Sequence, residues 1–198
     1  MLATIPSIYK LRKYLNLFGQ EFEWSNASYG GGFSQIYADD DNEEVDILTT
    51  ESFKFEVIRN MAPQLLSSEL SKKETDCGDL FHFKMRYMGE LDRGGLYLNS
   101  ELNDMFDDIK YEVSAAFGGD RRIKTEDLSL LISLVDGLQT PDAKVAKEVY
   151  EDILLNLKVS KDLDSIMEFD YLYLDLDARQ VLFDEDNDRY RLFDLYFV

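Results

Sequence analysis

The sequence predicts an α+β fold: an antiparallel sheet, made of N-terminal hairpins and a C-terminal three-stranded meander, packed against three central helices. Strand-like runs occupy both ends of the chain, and three stretches with apolar residues at helical spacing fill the middle. Strands, then helices, then strands again argue against alternating βαβ units and a parallel sheet. A length of 198 residues suits one domain over 1–198. Division into a strand-rich 1–98 and a second half 99–198 is the alternative. No internal repeat is visible.

The last thirty residues carry the meander. Phe169–Leu176, Val181–Phe183 and Tyr190–Val198 are rich in Tyr, Phe, Leu and Val, and the polar turns Asp177–Gln180 and Asp184–Asp188 separate them. From the N-terminus, Ile8, Leu11, Leu15 and Phe18 predict a helix over Pro6–Phe18. It is the one basic segment, with Lys10, Arg12 and Lys13 ahead of any acid, and is expected to lie on the acidic body of its own chain. Glu21–Trp24 and Phe33–Tyr37 read as a hairpin around Gly30-Gly31-Gly32. Phe33-Ser34-Gln35 follows where a P-loop needs Gly-Lys-Ser/Thr, so the triplet reads as a turn requiring positive φ.

Asp39–Glu44 must be a solvated loop. Val45–Leu48 and Phe53–Ile58 read as strands, the second also fitting a helix through Phe53, Val57, Ile58 and Met61. Gln64–Lys73 reads as a short helix. Leu80–Met88 reads as a strand with Phe81, Phe83, Met85 and Tyr87 inward, and His82, Lys84 and Arg86 outward. Gly89 and then Gly94-Gly95 bracket a loop.

Three helices follow. The first spans Glu101–Phe117, N-capped by Ser100, with a buried stripe of Leu102, Met105, Phe106, Ile109, Val113 and Phe117; Gly118-Gly119 ends it. The second spans Glu126–Leu138, capped by Thr125, burying Leu128, Leu131, Ile132, Val135 and Leu138. The third starts at Pro141, with Ala146, Val149, Tyr150, Ile153, Leu154 and Leu157 on its apolar face.

Composition bounds the function. The chain is 45% apolar and 13% aromatic, enough for a sizeable core. No apolar run approaches the ~18 residues of a membrane span, and no apolar stretch follows the N-terminal cations as in a secretory signal. One cysteine forbids an internal disulfide and fits a reducing cytoplasm. Forty carboxylates against twenty-one Lys and Arg give −19. That field repels phosphate, so neither nucleic acid nor an anionic membrane is an expected partner, and it attracts basic surfaces. Acidity that serves only solubility is the bland alternative.

Most chemistry is disfavoured. Cys77 and His82 are five apart, but Glu74, Asp76 and Asp79 beside Cys77 oppose a thiolate. One His and one Cys make no zinc set. Counted from Asp184, an EF-hand loop would need Gly at Arg189 and Glu at Leu195; the Asp39 run fails likewise at Glu44 and Thr50. No cofactor or metal is expected. Asp175 and Asp177 share a strand face, where paired carboxylates do acid–base work, yet so many acids make such a pair a chance event.

One pattern stands out. Glu101, Asp104, Asp108 and Glu112 are spaced three, four and four, which aligns them on one helix face opposite the apolar stripe. Like charges at that spacing destabilise a helix. At ~1.5 Å rise per residue the row is ~16 Å long, a coarse copy of a phosphate rail with a charge every ~3.4 Å. Asp39, Asp40, Asp41, Glu43 and Glu44, with Asp184, Glu185, Asp186 and Asp188, are expected to extend it. The expectation is a non-enzymatic acidic protein that blocks a basic, nucleic-acid-binding surface of another protein. Phosphate-mimicking inhibitors of phage origin and immunity proteins against nuclease toxins are analogous in charge. The alternatives are a carboxylate-based enzyme using Asp175 and Asp177, and an oligomeric assembly subunit with incidental acidity.

With no complete ligand set, thermal melts in EDTA and in millimolar Ca²⁺ or Mg²⁺ should coincide. A saturable, Ca²⁺-specific rise in Tm at physiological salt would instead mark the Asp184–Asp188 turn as a site.

Overall fold

The computed structural model describes residues 5–39, 41–90, 100–119, 122–139, 141–167 and 170–197. The architecture is α+β, built on antiparallel sheets. The chain divides into two compact units, Met1–Tyr87 and Met88–Val198.

The first unit is a five-stranded antiparallel sheet covered on both faces. Its strands are β1 (Tyr29–Gly30), β2 (Ser34–Asp39), β3 (Glu44–Thr49), β4 (Ser71–Thr75) and β5 (Gly78–Arg86), in the order β1-β2-β3-β5-β4. The N-terminal segment forms α1 (Ile8–Leu11) and a 3-10 helix over Arg12–Leu17. Its Ile8, Leu11 and Leu15, with Phe22, pack on Tyr37, Leu48 and Leu80. The register sets Tyr37 opposite Asp46 and Leu48 opposite His82, so these side chains share that face. Ile36, Ile47 and Phe83 line up on the other face. There α2 (Ser52–Met61) sets Phe55 edge-on to Phe83, ring centroids 5.3 Å apart.

This two-sided cover corrects the expectation that His82 faces away from the core. Its ring lies 5.2 Å from Phe18 and 5.4 Å from Phe22, and its Nε2 is 2.6 Å from Asp46 Oδ1. Lys84 Nζ also approaches Asp46, at 3.5 Å. Tyr87, expected inside, lies past the end of β5 and is 43% exposed.

Other corrections share one cause, competition between local patterns. Phe53–Ile58, for which strand and helix both fitted, is helical: Phe53 and Val57 pair at i, i+4, and Lys54 and Arg59 reach back to Glu51 and Glu56. Gln64–Lys73 is not a helix; a 3-10 turn at Pro63–Leu65 leads into β4. Glu21–Trp24 is not a strand, and β1 pairs with β2 instead. None of Gly30, Gly31 and Gly32 takes a positive φ. Gly32 offers its carbonyl to Ile8 N and Ser7 Oγ, each 2.9 Å away. The Gly94-Gly95 loop and Asp40 lie outside the described residues.

The second unit contains α3 (Ser100–Ala116), α4 (Leu128–Asp136) and α5 (Lys144–Met167). α3 buries Leu102, Met105, Phe106, Ile109 and Val113, and Gly118 and Gly119 end it with φ of 64° and 83°. Leu128, Leu131 and Val135 anchor α4, which begins after a 3-10 turn at Thr125–Asp127. Tyr150 of α5 donates its hydroxyl at 2.5 Å to the Val135 carbonyl, which also accepts from Leu138 N at 3.1 Å at the end of α4. α5 begins three residues after Pro141, where the sequence placed its start, and runs to Met167.

The C-terminal runs are strands, but they do not form one meander. β6 (Gly89–Glu90), β9 (Val181–Asp184) and β10 (Arg189–Leu192) form one sheet in the order β10-β9-β6. β7 (Arg122–Lys124), β8 (Tyr171–Leu174) and β11 (Tyr196–Phe197) form another in the order β11-β8-β7. β8 thus pairs with β7 and β11, and β9 pairs with β10 and β6 instead of with β8. Asp177 caps the intervening 3-10 turn by accepting from Arg179 N at 2.8 Å.

β10 is an edge strand whose outer groups are taken by α5. Tyr190 N donates to Glu148 Oε2 at 2.9 Å and Leu192 N to Asp152 Oδ2 at 3.1 Å; Asn156 Nδ2 donates to Leu192 O at 3.3 Å. Asp152 Oδ1 accepts from Arg189 Nη2 at 2.7 Å, and Arg191 Nη1 stands 3.6 Å away. Asp152 and Asn156 are 1% and 0% exposed. Burial raises the Asp152 carboxyl to about 6, against the pull of Arg189, the Leu192 N–H and Arg191.

Asp152→Ala strips Leu192 N–H of its acceptor and leaves Arg191 short of a counter-charge, so a loss of about 3–5 kcal/mol is expected from denaturant titration. Asp152→Asn keeps the acceptor and should cost less. The folded carboxyl titrates above its unfolded value. Its stabilising contribution is therefore whole below the unfolded pKa and is lost as pH rises through about 6. The deficit of the Asn variant should accordingly be larger near pH ~4 than near pH ~7.

Candidate interaction surface

α3 exists because its apolar residues recur along one side, and that same periodicity sets its charges outward. Glu101, Asp104, Asp108 and Glu112 are all exposed. Glu101, in the first turn, complements the positive end of the helix dipole; no basic residue occupies the last turn to match the negative end. Lys110 pairs with Asp107 at 3.7 Å, off the row. The expected reading missed Tyr111, 71% exposed on the same side of the helix, three residues after Asp108 and seven after Asp104. Its position on the helical wheel, opposite the buried stripe, was the available signal.

The other acids divide. In the first unit, Asp39 ends β2 and Glu44 begins β3, paired in register and half-buried, while Asp41 and Glu43 are exposed in the turn between them. Asp39 accepts from Asn42 Nδ2 at 2.8 Å, and this hydrogen bond holds its pKa below the usual carboxylate range. Glu43 takes φ of 53°. In the second unit, Glu185, Asp186 and Asp188 are exposed at the β9–β10 turn, where Asp188 adopts φ of 46° and Lys144 Nζ bonds its carboxylate at 2.9 Å.

Asp184 is a correction. It is 2% exposed, accepts from Arg191 Nε at 3.3 Å and Asn187 Nδ2 at 2.8 Å, and so faces the interior rather than a partner. An Asp at the end of a strand whose neighbour carries Arg191 turns inward because that guanidinium is buried too.

The groups weighed for catalysis have structural work. Arg179 holds both oxygens of Asp177, Nε at 3.0 Å and Nη2 at 2.7 Å, and this hydrogen bonding lowers its pKa. Asp175, half-buried beside Gln180 Nε2 at 3.1 Å, is raised by burial and then by Asp194. Cys77 sits exposed on the β4–β5 turn, where hydrogen bonding to Asp76 raises its thiol pKa, opposite to what a nucleophile needs. His82 is committed to Asp46. Among the described residues no three His, Cys, Asp or Glu side chains gather as a metal-binding group, and no helix is long and apolar enough to cross a membrane.

Compared with known proteins, the chain matches no family model and no curated sequence.

Replacing Glu101, Asp104, Asp108 and Glu112 together by Gln should leave the fold intact and raise stability slightly. Relief of the 104–108 and 108–112 repulsions contributes a few tenths of a kcal/mol per pair, set against the favourable dipole term lost at Glu101. A chemical melt of both forms checks the sign.

Proposed function

We infer that the protein is an acidic binding protein that covers a basic, nucleic-acid-binding surface of another protein, in the manner of a phosphate mimic. The observation that supports this reading is the exposed carboxylate row of α3, held in line by a buried apolar stripe and left without intervening cations along a ~16 Å rail. Exposed Asp41, Glu43, Glu185, Asp186 and Asp188 add to the negative field, and the net charge of −19 steers a cationic partner toward it. The partners of His82 and Asp177 and the raised thiol pKa of Cys77 favour binding over catalysis.

The test is capture from a host lysate on wild-type bait and on the four-Gln variant, followed by kinetics against the captured partner. A basic nuclease or nucleic-acid-binding complex should be retained by wild type. The variant should bind it more weakly, chiefly through a slower on-rate, and with a shallower fall in affinity as salt rises. Excess DNA or RNA should compete. Equal affinities and equal salt slopes for the two forms would reduce the row to a solvated face.

A further inference from the structure

The edges of the sheets are treated unequally. α5 occupies the outer groups of β10. β1, β6, β7 and β11, the other edges besides β4, have two, two, three and two residues. β4 has five, Ser71-Lys72-Lys73-Glu74-Thr75, exposed except for half-buried Thr75. Its two-residue turn to β5 makes Thr75–Gly78, Lys73–Leu80 and Ser71–His82 the pairs that exchange hydrogen bonds. The N–H and C=O of Lys72 and Glu74 therefore face away from the sheet.

We propose that β4 is a self-association edge, on which a second copy of this chain adds its own β4 antiparallel about Lys73. That register sets the outward groups of Lys72 against those of Glu74 in the second copy, and the reverse, so the open backbone groups on both strands are paired. It also brings opposite charges together in both contacts, which is favourable across a strand pair. Lysine alone on an edge guards against such pairing; a guard needs no carboxylate two residues away in complementary register, and β4 has one. Lys72 already engages carboxylates on this side, Glu74 at 3.1 Å and Asp79 at 2.8 Å. The two Lys73 side chains would meet at the two-fold axis as like charges. Lys73 Nζ instead folds over the Phe18 ring, 5.8 Å from its centroid. Paired edges of this length make a weak dimer, with Kd on the order of 10 µM to 1 mM.

Sedimentation of the full chain at physiological ionic strength, where repulsion between the copies is screened, reads the association directly. The weight-average mass should rise from 23.0 kDa toward twice that with concentration. Lys72→Pro removes an outward N–H without touching the β4–β5 ladder and should hold the mass at the monomer value, with its melt confirming the fold. Lys72→Glu and Glu74→Lys should each abolish the rise, and the double exchange should restore it, because it rebuilds both opposite-charge contacts. Amide exchange at Lys72 and Glu74 should slow as concentration increases. A wild-type chain that stays monomeric to about 1 mM, or a dimer that Lys72→Pro leaves intact, would overturn the proposal. Neither result touches binding at α3.

Discussion

The second unit depends on a match between two repeats. Successive outward groups on a strand are two residues, ~6.8 Å, apart, and side chains four apart on a helix are ~6 Å apart. α5 sets Glu148, Asp152 and Asn156 at that spacing against Tyr190, Leu192 and the Leu192 carbonyl of β10. A helix thus serves as the missing neighbour of an edge strand through its side chains. The arrangement fixes helix and hairpin in one register, because sliding by a residue would orphan buried N–H groups. Tyr150 on the same helix ties down the end of α4. The charges follow: Asp152 can be buried only because Arg189 and Arg191 accompany the strand it caps.

The same logic sorts the forty carboxylates. Among the described residues, those turned inward each have a partner: Asp46 has His82 and Lys84, Asp184 has Arg191 and Asn187, Asp152 has the two arginines, and Glu51 has the Lys54 ammonium 3.1 Å away as an ion pair. The cations, fewer than the acids by nineteen, are partly spent on these buried partners. Those pairs cancel one another, so the excess of carboxylates falls on the remaining positions, and the row on α3 shows it most plainly.

Legibility in the sequence followed the number of faces an element buries. α3 buries one stripe, and its core residues, its glycine end and its exposed acids could all be read from spacing. β5 lies in a sheet covered on both sides, so alternation at Phe81, Phe83 and Met85 revealed the strand but misplaced His82. Segment 53–58 supports period-2 and period-3.6 patterns at once, and only the ion pairs of α2 separate them. The pairing of the C-terminal strands depends on β6, β7 and β11, each too short to carry a pattern. Asp184 belongs to a run of acids and amides that reads as a solvated turn until Arg191 is placed beside it. Asp152, Asn156 and Ser160, buried polar residues of α5, lie outside the apolar pattern that marked the helix, and their regular four-residue spacing was the signal available for them.

The cover that α1 and its 3-10 extension lay over the first sheet has a consequence for the order of assembly. Those residues leave the ribosome before the strands they cover, at Tyr37, Leu48 and Leu80. Tyr14 meets Asp76 across 62 positions, and Phe18 and Phe22 lie against His82. Contacts that distant in sequence are slow to close. During synthesis, Ile8, Leu11 and Leu15 must wait exposed until β5 emerges, with Lys10, Arg12 and Lys13 beside them. The acid-free, positively charged stretch around them keeps those waiting side chains hydrated and apart from one another.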